Sequence, residues 1–410
     1  MGSSPTASRS VFRATLRQPN YAKLLIGSVV AASGDRINQI ALLSIVVNDM
    51  NNTAKYSADI MFWAILPAVV LGPFVVALID RWDRQRTMVT SDVARACLVV
   101  SLPILMGWIH HHYVIYTIVF LIGTFSAFFA PCRQAILPRL VPKEMLVPSN
   151  GILSQAGNVG TLLGVSAGSL ILRFCGRDSS FYVNGLTYIA SALLILSLRP
   201  NRNDEVKGGE RPHPVEDLRL GLQYIRATPP VFFCVVFFGL LQCLVAVFIV
   251  CFLSYGNEIL RLKAIGICLL FGAMGLGMGA GAWWLARFPK MCGRFSWPMW
   301  MIMGSGAGMF FLGHCHNPWL GADALLWTGF FSVMVMVPLD TYLQKHVPDG
   351  FLGRVFAARG VLVGIGFLVS LQFSKAIIHQ VGIMHTLQLV GIASALLGAG
   401  SLWAGRRLKA

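Results

Sequence analysis

The residues best able to do chemistry stand inside an apolar run. Gly34-Asp35-Arg36-Ile37-Asn38-Gln39 places an acid, a base and two amides within six positions, flanked by alanine, valine, isoleucine and leucine. On a helix, Asn38 falls about 60° to one side of Asp35, with Gln39 about 40° and Arg36 about 100° to the other, so the four share one broad face. That face should look into a cavity, where Asp35, desolvated and balanced by Arg36 or another cation, could take and release a proton while Asn38 and Gln39 contact a substrate. In the alternative reading, Asp35 and Arg36 each hold a partner on another helix and fix the fold. Gln155, Asn158, Gln242 and Gln372 are further polar groups within apolar stretches, suited either to line the same cavity or to bridge helices.

A second set of charges lies toward the ends of apolar stretches. Asp92 and Arg95 have the i, i+3 spacing of a local ion pair. Asp340, Gln344, Arg354 and Arg359 recur at a corresponding place in the second half, and Asp80, Arg81 and Arg84 close a run of hydrophobics in the first. Carboxylates and guanidinium groups clustered at helix ends can latch neighbouring helices by charge-assisted hydrogen bonds, so these residues read as gates on one side. No enzyme signature competes. His110-His111-His112 has no adjacent cysteine or carboxylate, and no Gly-x-x-x-x-Gly-Lys-Ser/Thr occurs, so neither a metal nor a nucleotide cofactor is expected.

The elements that must carry these residues follow from composition. Of 410 residues, 56% are hydrophobic and only 12% charged. Stretches such as Ile60–Ile79, Tyr113–Ala130 and Val231–Leu253 contain no charged side chain and approach the roughly 20 residues needed to cross a bilayer as a helix. No period-two alternation suggests a barrel. The nine cysteines lie mostly in or beside apolar stretches without metal spacing and read as small buried hydrophobes. Breaking the chain at charge clusters predicts an all-α membrane protein of twelve transmembrane helices in two pseudo-symmetric six-helix bundles, 1–198 and 231–410. Between them, 199–230 forms a linker. Its part from Val215 to Arg226 has the pattern of an amphipathic helix, lying on the membrane interface or solvated as an ordinary linker.

An even number of spans puts both termini on one side, and the segments sharing that side carry 23 Lys and Arg against 6 on the other. By the positive-inside rule the termini are cytoplasmic. That bias also accounts for the net charge of +16 without invoking nucleic acid.

The halves resemble each other. "LGPFVVALIDRWDRQR" (Leu71–Arg86) is matched by "GAGAWWLARFPKMCGR" (Gly279–Arg294), and "PCRQAILPRLVP" (Pro131–Pro142) by "PLDTYLQKHVP" (Pro338–Pro348), where each span is expected to end through its proline. The chain resembles the major facilitator superfamily over essentially its whole length. Asp80, Arg81 and Arg84 are similar to that superfamily's signature after the second span, with Gln85 where arginine is usual. "FFAPCRQAILPRLVPKE" (Phe128–Glu144) and "VPLDTYLQKHVPDGFLGRVFA" (Val337–Ala357) resemble the branch holding macrolide efflux pumps, the enterobactin exporter and, more distantly, the lysophospholipid transporter. Gly160, Gly164 and Gly168 resemble its antiporter motif and form one smooth stripe for helix packing.

The resemblance implies transport outward or across leaflets. The expectation from the whole sequence is a proton-coupled exporter of small amphipathic molecules, drug or siderophore in type, a monomer in the cytoplasmic membrane. A lipid translocator, or a non-transporting sensor or scaffold on the same fold, is the alternative. The charge bias makes one direct prediction: in a cysteine-free background, a cysteine at Lys55 or Lys263 reacts with an impermeant thiol reagent added outside, and one at Arg84 or Lys207 does not. Labelling of all four from one side overturns the twelve-span topology.

Overall fold

The computed structural model describes residues 18–50, 52–79, 82–109, 112–142, 145–199, 214–288 and 297–407. Asp80, Arg81, His110 and His111 therefore lie outside the described residues, as do the side chains of Gln155 and Asn158. Thirteen α-helices follow in order: α1 (Pro19–Asp49), α2 (Thr53–Ile79), α3 (Arg84–Trp108), α4 (Tyr113–Ile136), α5 (Leu146–Phe174), α6 (Arg177–Leu196), α7 (Pro214–Ala227), α8 (Pro229–Ser254), α9 (Ala264–Arg287), α10 (Trp297–Leu312), α11 (Pro318–His346), α12 (Asp349–Val381) and α13 (Ile383–Arg407). All but α7 coincide with the twelve expected spans. Ten of them, among the described residues, are long and apolar enough to cross a membrane; α10, at 16 residues, and the apolar part of α5, Val159–Phe174, are shorter.

Local chemistry sets the helix ends. Asp83 caps α3, its side chain accepting from the Arg86 N–H at 2.9 Å, and Asn317 caps α11 in the same way for Trp319. Gly176 and Gly382 take φ of +85° and +86°, where only glycine is unstrained, and make the abrupt links α5–α6 and α12–α13. Pro131 and Pro338 do not end their helices as expected: α4 continues to Ile136 and α11 to His346. Within a packed membrane bundle, neighbouring groups can satisfy the carbonyl that a proline leaves free.

Contacts divide the chain into two units: residues up to Leu43 with Trp63–Pro214, and Ser44–Phe62 with Val215–Ala410. In the first, α3 packs on α4 and α6, and α4 approaches α2 through Gly123 against the Ala64 carbonyl. Its core gathers Tyr21, Leu24, Met88, Cys132, Ile136 and Ile195. In the second, α10 packs on α11 and α13, and α11 on α9. The same neighbour relations thus hold within each unit, third span with fourth and sixth, second with fourth. The α7 helix uses its apolar side on protein: Ile225 is buried in the second unit's core, Leu218 and Leu222 pack against it, and Gly221 lies against the Arg354 carbonyl.

The glycine stripe of α5 faces α1. A Cβ added at Gly160 would stand 2.6 Å from Ala32 Cβ and 2.8 Å from the Val29 carbonyl, one at Gly164 would collide with the Ser33 carbonyl, and one at Gly168 would meet Ile37 and Ile40. Gly157 on the same helix has open space around it. Gly164→Val is therefore expected to destabilise the protein by roughly 1–3 kcal/mol, because backbone cannot yield as a side chain can. Gly157→Ala should instead be neutral or stabilise by about 0.5–1 kcal/mol. Thermal unfolding in detergent of both variants checks this, and equal melting temperatures would contradict the packing.

Candidate functional site

The first unit buries a charged cluster drawn from four helices. Arg95 is the twelfth of 25 residues of α3, and only 2% of it is exposed. Its Nη2 donates to Asp92, one turn earlier, which is fully buried. Nη1 reaches Ser126 Oγ on α4 at 3.4 Å. The guanidinium lies over two rings, 4.7 Å from the centroid of Phe129 on α4 and 4.5 Å from that of Tyr188 on α6. Cation–π contact of this kind strengthens as water is excluded. The Tyr188 hydroxyl then donates to Asp35 Oδ1 on α1, and Asp35 itself interacts electrostatically with Arg95 and Asp92.

Local packing makes this convergence possible. Gly34 stands against the Thr187 and Asn184 side chains of α6, leaving no room for a Cβ, so α1 comes close enough for Asp35 to meet Tyr188. Thr187 returns its own hydroxyl to the Asn184 carbonyl at 2.7 Å. Neither Thr187 nor Tyr188 stood out in the sequence. A tyrosine in an apolar helix reads as core until its hydroxyl is seen to have a carboxylate partner.

The face expected to hold Asp35, Arg36, Asn38 and Gln39 together is divided in the structure. Asp35 turns toward α6 and α3. Arg36 turns toward α5, its Nε donating to Thr161 Oγ1 at 3.1 Å and its Nη1 to Gln39 Oε1 at 2.6 Å. Asn38 is buried, and its Oδ1 has no hydrogen-bond partner among the described residues. Asp92 and Arg95, expected near an entrance, are instead well inside α3, because that helix already begins at Arg84.

Other expected residues fall elsewhere. Arg84 donates to the Ala135 carbonyl of α4 at 2.8 Å. Beside it, Gln85 donates to the carbonyls of Ile195, Leu196 and Leu198, closing the end of α6. In the second unit, Arg359 bonds Asp340 at 2.6 Å and covers the rings of Phe238 and Phe356, at 4.2 and 4.7 Å. Arg354 bonds Asp217 of α7, also at 2.6 Å. Gln344 is exposed and joins neither pair, while Gln242 and Gln372 are half-buried on α8 and α12. Two polar links in this unit were not anticipated: Lys375 to Asp59 at 2.6 Å, and Asn257 to Thr53 Oγ1 at 2.7 Å.

The chain matches the Major Facilitator Superfamily model over residues 24–371. It belongs to that superfamily. It is similar to the uncharacterised MFS-type transporter YfiS of Bacillus subtilis, at 22% identity over 400 residues, covering 93% of this chain and 92% of the relative. Macrolide efflux protein A of Streptococcus pyogenes is 22% identical over 385 residues, 89% and 91% of the two chains. The putative bacilysin exporter BacE of B. subtilis is 24% identical over 194 residues, 46% and 48% of the two. Among solved structures the fold is similar to the nucleoside transporter NupG, with a TM-score of 0.74 at 12% identity over 93% of this chain and 99% of that one. This facilitator is thus a multi-pass membrane transporter and not an enzyme.

Within the facilitator's cluster, removing one member of the buried pair strands the other. Arg95→Gln should cost about 3–5 kcal/mol, and Arg95→Gln with Asp92→Asn considerably less. A double-mutant cycle on thermal unfolding checks the coupling; additive losses would mean that the pair is not held as described.

Proposed function

We propose that this facilitator is a proton-coupled exporter, an antiporter, of small amphipathic molecules, working by alternating access as a monomer in the cytoplasmic membrane with both termini inside. Similarity to macrolide efflux protein A and to a putative bacilysin exporter supports the outward direction. The coupling rests on one observation, the grouping of Asp35, Tyr188, Arg95 and Asp92. Two carboxylates there share one guanidinium, and an ionisable group inside a span is a candidate for proton transfer. Asp92 is engaged by Arg95 and fully buried. Asp35 is half-buried and accepts from the Tyr188 hydroxyl, and in this reading it is the carboxylate that carries the proton.

Protonation of Asp35 would free the Tyr188 hydroxyl and remove a charge from the junction of α1 with α6. That is a local change able to bias two arrangements of the helices. Asp340 with Arg359 and Asp217 with Arg354 serve as latches at the second unit's cytoplasmic ends. Asp59 with Lys375 serves at the opposite end.

Asp35→Asn keeps the size and much of the hydrogen bonding but cannot exchange a proton. The variant is expected to insert and fold, to lose uphill transport, and to retain binding or downhill exchange. Transport into inverted vesicles with and without an imposed pH gradient is the measurement. Full gradient-driven transport by Asp35→Asn would sink the proposal.

A further inference from the structure

Arg36 differs from the ion-paired cations described above. It is the eighteenth of 31 residues of α1, near the middle of a span. Arg95, Arg354, Arg359 and Lys375 each have a carboxylate as partner. Arg36 has two neutral oxygens, those of Thr161 and Gln39, and among the described residues no carboxylate forms an ion pair with it. Asp35 is its neighbour in sequence, but successive residues on a helix diverge, and that carboxylate is turned to Tyr188.

A guanidinium has five N–H donors. Two are used, by Nε and Nη1, which leaves three, including both on Nη2. Nη2 has no partner among the described residues and is not among the buried unpartnered atoms, so its N–H groups reach accessible space. Thr161 is held in turn by its bond to the Gly157 carbonyl at 2.9 Å. The guanidinium is therefore oriented from two sides and has an unused edge. Leaving such a charge at membrane depth is unfavourable unless water or a counter-charge meets it.

The geometry points to Arg36 as an anion subsite that grips a carboxylate of the transported molecule through two parallel N–H bonds, with Thr161 and Gln39 as the residues that position it. The substrate class is then amphipathic anions, and zwitterions held by their anionic end. Arginine suits this work better than lysine because its planar fork matches a carboxylate.

The inference rests on the export reading for the role of the bound molecule, but its test needs no transport. The purified full-length protein in lipid nanodiscs is titrated calorimetrically with 2-naphthoate, 2-naphthamide and 2-naphthylmethylammonium, which share a ring system and differ in charge. The naphthoate is expected to bind about tenfold or more tightly than the other two, the effect of a hydrogen-bonded charge. Arg36→Gln should erase that preference while leaving the amide's affinity unchanged, and Arg36→Lys should restore part of it.

A second readout needs no ligand. With cysteine placed at Gln39 in a cysteine-free background, a negatively charged methanethiosulfonate reagent should react faster than its positively charged counterpart. Adding Arg36→Gln should reverse or abolish that order. Equal affinities for the three probes, a preference for the ammonium, or no naphthoate binding together with an unchanged reagent ratio each overturn the anion subsite. Loss of the anion preference with gradient-driven export intact would defeat this inference alone; an anion preference without outward transport would defeat the export reading and leave the subsite standing.

Discussion

A guanidinium buried in a membrane bundle must be answered by the groups around it, and Arg95 is answered from four helices at once. Asp92 lies one turn earlier on its own helix, Ser126 and Phe129 come from α4, Tyr188 from α6 and, through Tyr188, Asp35 from α1. Each contact is modest in isolation, but in a medium of low dielectric their loss leaves a charge without compensation. The approach of α1 to α6 at Gly34 and of α1 to α5 along the glycine stripe serves the same constraint, since helices held further apart could not share the cluster. The first unit is organised about this charge.

The second unit meets the constraint in another way. Arg359 sits over two phenylalanine rings with Asp340 as its carboxylate, and Arg354 recruits Asp217 from α7. That ion pair, with Gly221 pressed on the Arg354 backbone, turns α7 from a connecting segment into part of the unit's packing. Lys375 with Asp59 and Asn257 with Thr53 tie the start of α2 to the same unit, in which contacts group Ser44–Phe62 with residues from Val215 onward. Repetition of the neighbour relations within each unit, and of the glycine-turned link at Gly176 and Gly382, shows a shared backbone plan. The side chains laid on that plan differ between the halves. A superfamily fold hosts many substrates, so specificity must be argued from such side chains and not from the fold.

Much of the fold was legible in the sequence because the bilayer acts on each segment separately. Whether about 20 residues can enter hydrocarbon depends on their own side chains, so apolar runs, charge breaks and the basic bias of alternate loops locate the helices without knowledge of their neighbours. The glycine spacing of α5 is likewise local, as are the caps at Asp83 and Asn317. Asp35 and Arg36 could be singled out for the same reason, as charges in a segment that otherwise has none.

The tertiary structure decided which of these residues meet. Tyr188 lies 153 positions from Asp35 and Thr161 lies 125 from Arg36, and no local pattern specifies which face of one helix turns to which face of another. Only the packed helices could separate Asp35 from Arg36, carry Asp92 and Arg95 inward to join Asp35, dock α7 and pair Asp59 with Lys375. The physical reason is range. Transfer into the bilayer is a sum over neighbouring residues, whereas compensation of a buried charge depends on groups far apart in the chain that reach one another only when the helices have packed.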